Sequence, residues 1–351
     1  MKIPANRIFA VGFASLLAIA AIVYFATTRT NPSDRVVLYS AQDREFAERL
    51  LDECRGEHGM TVDAKFDTEA NKSVGLATEL EREAGQPRCD LHWNNEPLGT
   101  IRLARKGLYA PYSSSIAVEF PAGSRDRDDL WQAFAERARV LIVNTDLVPE
   151  AERPKGLFDL ADPRWRGKIA MAKPQFGTTA THAACLFEVL GREAAKGLFR
   201  GLKANSVELV AGNKQVARKV ADGTFAVGTT DTDDAIIEVM AGKPVAIVFP
   251  DAKGHPDHPR LGALFLPNTL AIVKGGPNPA GARALYDAIL KSEASLAGGG
   301  AYQFPLRPGI PGPNHPALEP HRTTKRMAVD FEKAADLWDE VQTFLRDEFA
   351  R

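Results

Sequence analysis

Cysteine is scarce in this sequence. The 351 residues include three cysteines, Cys54, Cys89 and Cys185, which are too few for a disulfide-rich scaffold and lack the spacing of a metal site. Cys54 falls near the end of the first predicted helix and Cys89 just before the third predicted strand, at the same edge of a parallel sheet. One disulfide between them could therefore form in an oxidising compartment. Cys185 lies in an apolar stretch and is predicted to be a buried thiol.

The sequence also lacks an excess of charge of either sign. Lys and Arg total 44 and Asp and Glu total 45, which gives a formal net charge of -1. This balance argues against nucleic acid as a partner, because nucleic-acid binding needs a basic surface that displaces counterions. With 44% hydrophobic and 25% charged residues, the composition is that of a folded globular protein. The roughly 315 residues after position 35 suffice for two domains.

Catalytic motifs are missing as well. The sequence has no H-E-x-x-H, no G-x-S-x-G and no G-x-x-x-x-G-K-[ST] loop. His255 and His258 lie three residues apart, but in a proline-rich loop that predicts a surface position rather than a metal site. A metal-dependent hydrolase built on Asp231 or Asp233 would need a further set of histidine ligands. The sequence therefore favours a binding protein over an enzyme.

One long hydrophobic run is present, at residues 8–26. It carries no charge and follows Lys2 and Arg7. About 20 apolar residues cross the hydrocarbon core of a bilayer, and the end of the run shows no A-x-A cleavage pattern. We interpret residues 1–35 as a signal-anchor and linker, with a cleaved secretory signal as the alternative. In either case the rest of the chain is expected on the periplasmic or extracellular face of the membrane.

After this run, short β-rich segments alternate with helical ones. Strands are predicted at 36–39, 62–66 and 90–93, with helices at 44–55 and 74–84 between them. This alternation predicts an α/β fold in which mostly parallel sheets are flanked by helices. Such sheets bind ligands just beyond the carboxyl ends of their strands.

Polar segments follow four of the predicted strands, including the later strands at 169–172 and 225–228. Gly177, Thr178 and Thr179 stand at a predicted helix start, where they either cap the helix or expose N–H groups and the positive end of the helix dipole to an anion. The predicted ligand contacts are Ser40, Asp43, Trp93, Asn95, Glu96, Gly177, Thr178, Thr179, Thr230, Asp231, Thr232 and Asp233.

Three carboxylates lie within four residues at Asp231, Asp233 and Asp234. Such a cluster requires solvent, a helix N-terminus or a bound cation, so a capped helix and a ligand contact both remain open. Asp43 has the same two explanations, and Glu96 is either a solvated turn residue or a ligand contact. If a metal is bound, its candidate ligands are Asp43, Glu96, Asp231 and Asp233.

Several segments resemble one known family. Residues 37–43 (VLYSAQD), 94–96 (NNE), 159–169 (DLADPRWRGKI) and 304–308 (FPLRP) look like the solute-binding proteins of ABC transporters, of the ferric-iron-binding type. The D-P-x-W-x-G-K-I segment followed by the Gly-Thr helix start is the most specific part. The resemblance runs from about residue 36 to residue 308.

This resemblance implies two α/β lobes with a ligand in the cleft and hinge closure of the Venus-flytrap kind. The family's synergistic anion would fall at Gly177, Thr178 and Thr179. Its pair of iron-ligating tyrosines would fall at Asp231 and Thr232, so phenolate ligation of iron is missing here. The expected cargo is a metal ion with an anion, a phosphonate- or phosphate-type zwitterion, or a sugar phosphate.

The resemblance implies lobe one at 36–135 with about 264–275, lobe two at 136–250, and a C-terminal helical part at 276–351 packed on one or both lobes. The expected protein is a monomeric solute-binding component of an ABC importer that docks on a membrane permease. It has no certain cofactor, because a metal ion or anion would be cargo. A membrane-tethered sensor with the same fold is the main alternative.

Overall fold

The computed structural model describes residues 35–67, 74–298 and 300–349. The hydrophobic run at 8–26 and the predicted anchor lie outside these residues. Within the described ranges, no helix is long and apolar enough to cross a membrane.

The first part of the chain alternates strands with helices, as predicted. Its elements are β1 (Arg35–Ser40), α1 (Arg44–His58), β2 (Thr61–Phe66), α2 (Gly75–Arg82), β3 (Leu91–Asn94), α3 (Pro97–Arg105) and β4 (Tyr109–Ala110). β1 lies between β2 and β3 and is parallel to both. The helical spacing of Phe46, Ala47, Leu50 and Leu51 buries one face of α1. We call β1 to β4 with β10 the first sheet half.

A second set of parallel strands follows. Its elements are β5 (Gln132–Asn144), β6 (Ile169–Ala172), α4 (Gly177–Leu190), α5 (Arg192–Ala204), β7 (Glu208–Val210), α6 (Asn213–Ala221), β8 (Val227–Asp231), α7 (Thr232–Met240) and β9 (Val245–Val248). β6 is parallel to both β7 and β8. We call β6 to β9, with the end of β5, the second sheet half.

The C-terminal part is helical, as predicted, after a last long strand. It contains β10 (Phe265–Val273), α8 (Pro279–Lys291), α9 (Glu293–Ala297), α10 (Phe331–Asp336) and α11 (Trp338–Phe349). α8 packs on β1, β3 and β10, whereas α10 contacts both α3 and α4. The C-terminal part therefore touches elements on both sides of the molecule.

Two buried antiparallel strands connect the sheet halves. β5 pairs with β10 over residues 132–138 and with β8 and β9 over residues 139–144. The register between β5 and β10 shifts between Pro267 and Asn268, and Ala135, the extra residue opposite this shift, has a φ of 35°. The local distortion is a β-bulge. The lobe limits stay a prediction. The predicted boundary between lobe one and lobe two, at residues 135 and 136, falls on this bulge.

The sheet differs from the prediction in two respects. Its order is β2-β1-β3-β10-β5-β8-β6-β7, so parallel groups flank an antiparallel centre and the sheet is mixed. β8 also begins later than predicted and includes Thr230 and Asp231. Sequence polarity suggested a loop there, but Asp231 lies opposite Arg139 in the ladder, and opposite charges stabilise a cross-strand pair.

The structure decides between the alternatives left open for the cysteines. All three cysteines are buried and no disulfide joins them, so the bridge that could have formed between Cys54 and Cys89 is not present. Cys54 lies on the buried face of α1 with Leu50 and Leu51, whereas Cys89 belongs to a separate core cluster. Each thiol is therefore enclosed by its own apolar neighbours. Cys185 is a buried thiol, as predicted.

Candidate functional site

A narrow polar cleft lies at the carboxyl ends of the parallel strands. Its volume is about 20 Å³, enough for about one water molecule. Six predicted contacts line it, namely Asp43, Asn95, Gly177, Thr178, Asp231 and Asp233. A further set that the sequence prediction omitted also lines it, including Gln42, Arg137, Lys173, Asn213 and Asp234.

Three helices begin at this cleft. α4 starts at Gly177, α6 at Asn213 and α7 at Thr232, directly after Asp231. Gly177 has a φ of 55°, a left-handed conformation that glycine adopts without strain. Helix N-termini carry partial positive charge and N–H donors, so this arrangement favours negative groups at the cleft.

Asp231 is held in place by its neighbours. Its Oδ1 accepts a hydrogen bond from Arg139 Nη1 at 2.9 Å, and its Oδ2 accepts from Thr178 Oγ1 at 2.8 Å and Asn213 Nδ2 at 3.0 Å. Burial by itself would raise the pKa of Asp231, but Arg139 and Arg137 outweigh burial and lower that pKa. Asp231 is thus an ionised, fully bonded carboxylate.

Arg137 enters the cleft from the bulged part of β5. Its Nη2 donates to the Asn95 carbonyl oxygen at 2.6 Å, and its Nε lies 3.7 Å from carboxylate oxygens of both Asp231 and Asp233. Its Nη1 is buried and has no hydrogen-bond partner among the described residues. A buried cationic donor without a partner is costly, so this atom indicates a position for an acceptor.

Gln42 provides a second such donor. It is 4% exposed and lines the cleft, and its Nε2 has no partner among the described residues. Arg137 and Gln42 approach from different elements, since Gln42 lies between β1 and α1 and Arg137 on β5. Two residues from different elements therefore line one small space, and each carries an orphan donor, a buried donor without a partner among the described residues.

Acidic groups form another side of the cleft. Ligand oxygens of Asp231, Asp233 and Asp234 lie within 4.8 Å of one another. Asp233 Oδ1 accepts from the Asp234 backbone N–H at 3.1 Å, and its Oδ2 accepts from Gln303 Nε2 at 3.3 Å. Asp231 accepts hydrogen bonds from Arg139, Thr178 and Asn213, and Asp233 and Asp234 complete the acidic side of the cleft.

Glu96 acts as the N-cap of α3. Its carboxylate accepts from the backbone N–H groups of Leu98 at 2.7 Å and Gly99 at 2.8 Å, and from Thr181 Oγ1 at 2.8 Å. It is 2% exposed, and burial raises its pKa although these hydrogen bonds oppose the shift. Glu96 is thus neither a solvated turn residue nor one of the residues lining the cleft.

The remaining predicted contacts are buried around the cleft rather than in its lining. Ser40 Oγ accepts from the Gln42 backbone N–H, and Trp93 packs on Phe134 as a core residue. The three threonines form hydrogen bonds with neighbouring elements. Thr179 donates to Asn213 Oδ1, Thr230 donates to the Asn213 carbonyl oxygen, and Thr232 accepts from the Ala138 N–H. The indole of Trp93 is fully buried and does not line the cleft in this structure.

The sequence did contain a signal for the missed arginines. Arg137 and Arg139 are two residues apart on β5, a strand buried along its whole length, and therefore lie on the same face. Charged side chains in a buried strand must be paired. Asn213 gave no comparable signal, because an asparagine at this position predicts only the start of a helix.

A larger groove of about 1060 Å³ lies next to the cleft, between α2, α3, the start of α4 and α11. It shares Lys173, Phe176 and Gly177 with the cleft. Neither Arg137, Gln42 nor the acidic cluster lines it. The orphan donors and carboxylates therefore make the small cleft the candidate site.

Sequence comparison places the chain in a family. The profile described as "Bacterial extracellular solute-binding protein" matches residues 101–335, which is more than half of the chain. The chain belongs to this family. The family consists of binding proteins, and the prediction of a binding protein rather than an enzyme is thereby confirmed.

Curated relatives agree with the predicted resemblance. The chain is 24% identical to the "Fe(3+)-binding periplasmic protein" of Serratia marcescens over 62% of this chain and 62% of that protein, which is less than two thirds of its length. It is 26% identical to "Iron uptake protein A2" of Synechocystis over 87% of each chain. Both relatives carry iron in their names, and at this identity their cargo is not transferred to this chain.

Solved structures share the fold. The ferric binding protein from Campylobacter jejuni superposes with a TM-score of 0.79 at 21% identity, covering 90% of this chain and 100% of that one. The periplasmic binding protein AfuA from Actinobacillus pleuropneumoniae, bound to fructose-6-phosphate, gives 0.77 at 21% identity, covering 90% and 98%. The predicted two-lobed binding-protein fold agrees with these matches.

Proposed function

We propose that this protein is the extracytoplasmic solute-binding component of an ABC-type importer and that its cargo is a small zwitterion with a phosphonate- or phosphate-type group and an ammonium group. The observation that carries the proposal is the buried Nη1 of Arg137, a cationic donor without a partner among the described residues. An anionic acceptor at this atom removes the cost of burying it unpaired.

The anionic end of the cargo is assigned to the donor side of the cleft. Arg137 Nη1 and Gln42 Nε2 supply side-chain donors, and the starts of α4 and α6 at Gly177 and Asn213 supply the positive ends of two helix dipoles. Three phosphonate oxygens can accept from several donors at once, which suits a site where donors converge from different elements.

The ammonium end is assigned to the acidic side. Asp43, Asp233 and Asp234 line the same cleft, and a cation there offsets their mutual repulsion. Four carboxylates and the two cations Arg137 and Lys173 line the cleft in total. This mixture of charges matches a ligand that carries both signs.

Cargo binding then requires opening and closing. A volume of about 20 Å³ cannot admit a molecule of several heavy atoms, so we assign the present state to an empty, closed form that must open to admit cargo. We assign lobe one to residues 36–135 with 264–275 and lobe two to 136–250, with rotation at the bulge of β5 and β10. Closure of this hinge type buries the cargo between the lobes.

We further propose that the protein acts as a monomer, that residues 1–35 tether it to the membrane, and that it delivers its cargo to a permease. Both a cleaved and an uncleaved leader place the binding domain outside the cytoplasm. A tethered sensor would use the same cleft, and the two roles differ in the partner that recognises the closed form: an ABC permease or a signalling protein.

A metal ion with a bound anion is a second candidate cargo. It is favoured by the ligand oxygens of Asp231, Asp233 and Asp234, which lie within 4.8 Å of one another, and by the iron-related names of relatives. One feature opposes it: Asp231 already accepts hydrogen bonds from Arg139, Thr178 and Asn213. A hard cation needs about six or more oxygen ligands.

A ligand titration distinguishes these candidates. Purified protein is titrated calorimetrically with 2-aminoethylphosphonate, ethylphosphonate, inorganic phosphate, fructose-6-phosphate and ferric citrate. The expected order puts 2-aminoethylphosphonate tightest, with ethylphosphonate weaker because it lacks the ammonium group. Binding of ferric citrate that a chelator reverses, without phosphonate binding, would establish the metal candidate instead.

Variants of the two orphan donors provide the matched test. Arg137→Lys keeps the positive charge but removes Nη1, and Gln42→Leu removes only the amide. Both are expected to weaken phosphonate binding by about tenfold or more, the value of one charge-assisted hydrogen bond. Arg164→Lys, an exposed arginine paired with Asp162, serves as the control and should bind normally.

A further inference from the structure

A chain of buried polar side chains runs from the core of the first sheet half to the cleft. Trp93 Nε1 donates to Asn268 Oδ1 at 3.3 Å, Asn268 Nδ2 donates to Gln303 Oε1 at 2.8 Å, and Gln303 Nε2 donates to Asp233 Oδ2 at 3.3 Å. Trp93, Asn268 and Gln303 are fully buried and Asp233 is 5% exposed. Water therefore does not compete for these hydrogen bonds.

The direction of this chain is fixed by its first member. An indole N–H can only donate, so Asn268 must present its oxygen to Trp93 and its amide NH2 to Gln303. Gln303 must then present its oxygen to Asn268, which leaves its own NH2 for the Asp233 carboxylate. If the side-chain amide of Asn268 or Gln303 rotated by 180°, two donors or two acceptors would face each other.

The middle of the chain is anchored at the bulge. Asn268 follows the register shift of β10, and its Nδ2 also donates to the carbonyl oxygen of the bulged Ala135. The segment that carries Gln303 is held to β5 by the paired backbones of Glu136 and Phe304. The orientation of Asp233 is therefore tied to the strands that join the sheet halves.

We propose that Gln303 is a positioning residue that orients the Asp233 carboxylate and thereby sets the preference of the cleft for ligands with an ammonium group. This inference rests on the proposed zwitterion-binding function. Gln303 does not line the cleft, so it acts through Asp233. Gln303 donates to Oδ2, the Asp234 N–H donates to Oδ1, and Arg137 Nε lies 3.7 Å from Oδ2, so these contacts fix the rotamer of the carboxylate.

The test is a selectivity ratio, the Kd for ethylphosphonate divided by the Kd for 2-aminoethylphosphonate. Gln303→Met keeps the size of the side chain and removes the donor. We expect this ratio to fall by about tenfold, as for loss of one hydrogen bond to a charged group, with the Kd for ethylphosphonate within about twofold of wild type. Gln342→Met, at another buried glutamine outside the cleft lining, should leave both constants unchanged.

Asn268→Asp provides a second variant with almost the same shape. Its carboxylate still accepts from Trp93 but, when ionised, cannot donate to Gln303 Oε1 or to the Ala135 carbonyl oxygen, so the Gln303 amide must turn and direct its oxygen at Asp233. The ratio should fall as in Gln303→Met. A loss of affinity for both ligands by the same factor, or an unchanged ratio in both variants, overturns the positioning role. Failure of the wild-type protein to bind 2-aminoethylphosphonate overturns the proposed function and this inference with it.

Discussion

Thr181 Oγ1 donates a hydrogen bond of 2.8 Å to Glu96 Oε2, and both side chains are buried. Thr181 lies on α4, which follows a strand of the second sheet half, whereas Glu96 caps α3, which follows β3 of the first. This contact therefore joins the two sides of the cleft from behind. If the proposed closure is correct, it forms on closing and breaks on opening.

Removal of this contact should favour the open state. Thr181→Val keeps the shape of the side chain but leaves one oxygen of Glu96 without its donor, at a cost of about 1–3 kcal/mol that falls on the closed form. Small-angle scattering should show a larger radius of gyration, with an unchanged far-ultraviolet circular dichroism spectrum. Thr343→Val, on an exposed face of α11, is the control. An unchanged radius would contradict a role in closure.

Asp231 is expected to be essential for stability. Asp231→Asn leaves Arg137 and Arg139 buried without their shared counter-ion, which costs about 3–5 kcal/mol in the free energy of unfolding. The measurement is urea unfolding at pH 7, and Asp222→Asn, in an exposed turn, should change little. A loss below 1 kcal/mol would show that the arginines do not depend on this carboxylate.

The same substitution has a definite pH dependence. The folded-state pKa of Asp231 is lowered from its usual 3.8, so its ionised form stabilises the fold at and above that pH and the contribution is lost as pH falls through the lowered pKa. The difference in unfolding free energy between wild type and Asp231→Asn should be constant from pH 7 to 5 and shrink below about pH 3.8. A difference that grows on acidification would contradict the assignment.

Lys214 and Glu45 form an ion pair from α6 to α1, beside Asp43 and Ala211, which also line the cleft. Both members of the pair are partly exposed, so Lys214→Ala should weaken cargo binding by less than about 1 kcal/mol, or roughly fivefold. The dependence on ionic strength identifies the contribution of this ion pair. Added salt should weaken cargo binding by the wild-type protein more than cargo binding by the variant. Lys196→Ala, which disrupts a pair within α5, should behave as wild type.

Gly228 tests the packing of α6, which presents Asn213 to the cleft. A Cβ at this position of β8 would overlap Val216 and lie 3.0 Å from Val220 Cγ2, both on α6. Gly228→Ala should therefore cost about 1–3 kcal/mol and weaken cargo binding. Gly197→Ala within α5 meets nothing within 4 Å and should stabilise by about 0.5–1 kcal/mol. Equal effects of the two substitutions would contradict this packing.

Some features could be predicted from local pattern. The spacing of Phe46, Leu50 and Leu51 predicted α1, and the strand predicted at 169–172 has the bounds of β6. These predictions succeeded because burial on one side of a helix or along a strand leaves its period in the sequence. The site was predicted in outline only. Ligands bind beyond the carboxyl ends of parallel strands, and this rule places Asp43, Asn95, Gly177 and Asp231 near one another, but it does not give their hydrogen-bond partners.

Other features depended on distant contacts. Whether Asp231 binds a ligand or a neighbour was decided by Arg139, which is 92 residues away in the chain, and Glu96 proved to be a cap bonded to Thr181, 85 residues away. Trp93 was expected at the cleft but is enclosed beside Phe134. A sequence lists the donors and acceptors of these groups, but their pairing follows from strand order and register.

The sequence by itself determined the class of protein: alternating strands and helices, balanced charge, strand-end polar segments, and the segments shared with solute-binding proteins. Only the tertiary structure decided which polar groups satisfy one another and which are left over. Hydrogen bonds and ion pairs depend on distances of a few tenths of an ångström between side chains far apart in the chain. The orphan Nη1 of Arg137 is therefore visible only once β5, β8 and the helix starts have been assembled around it.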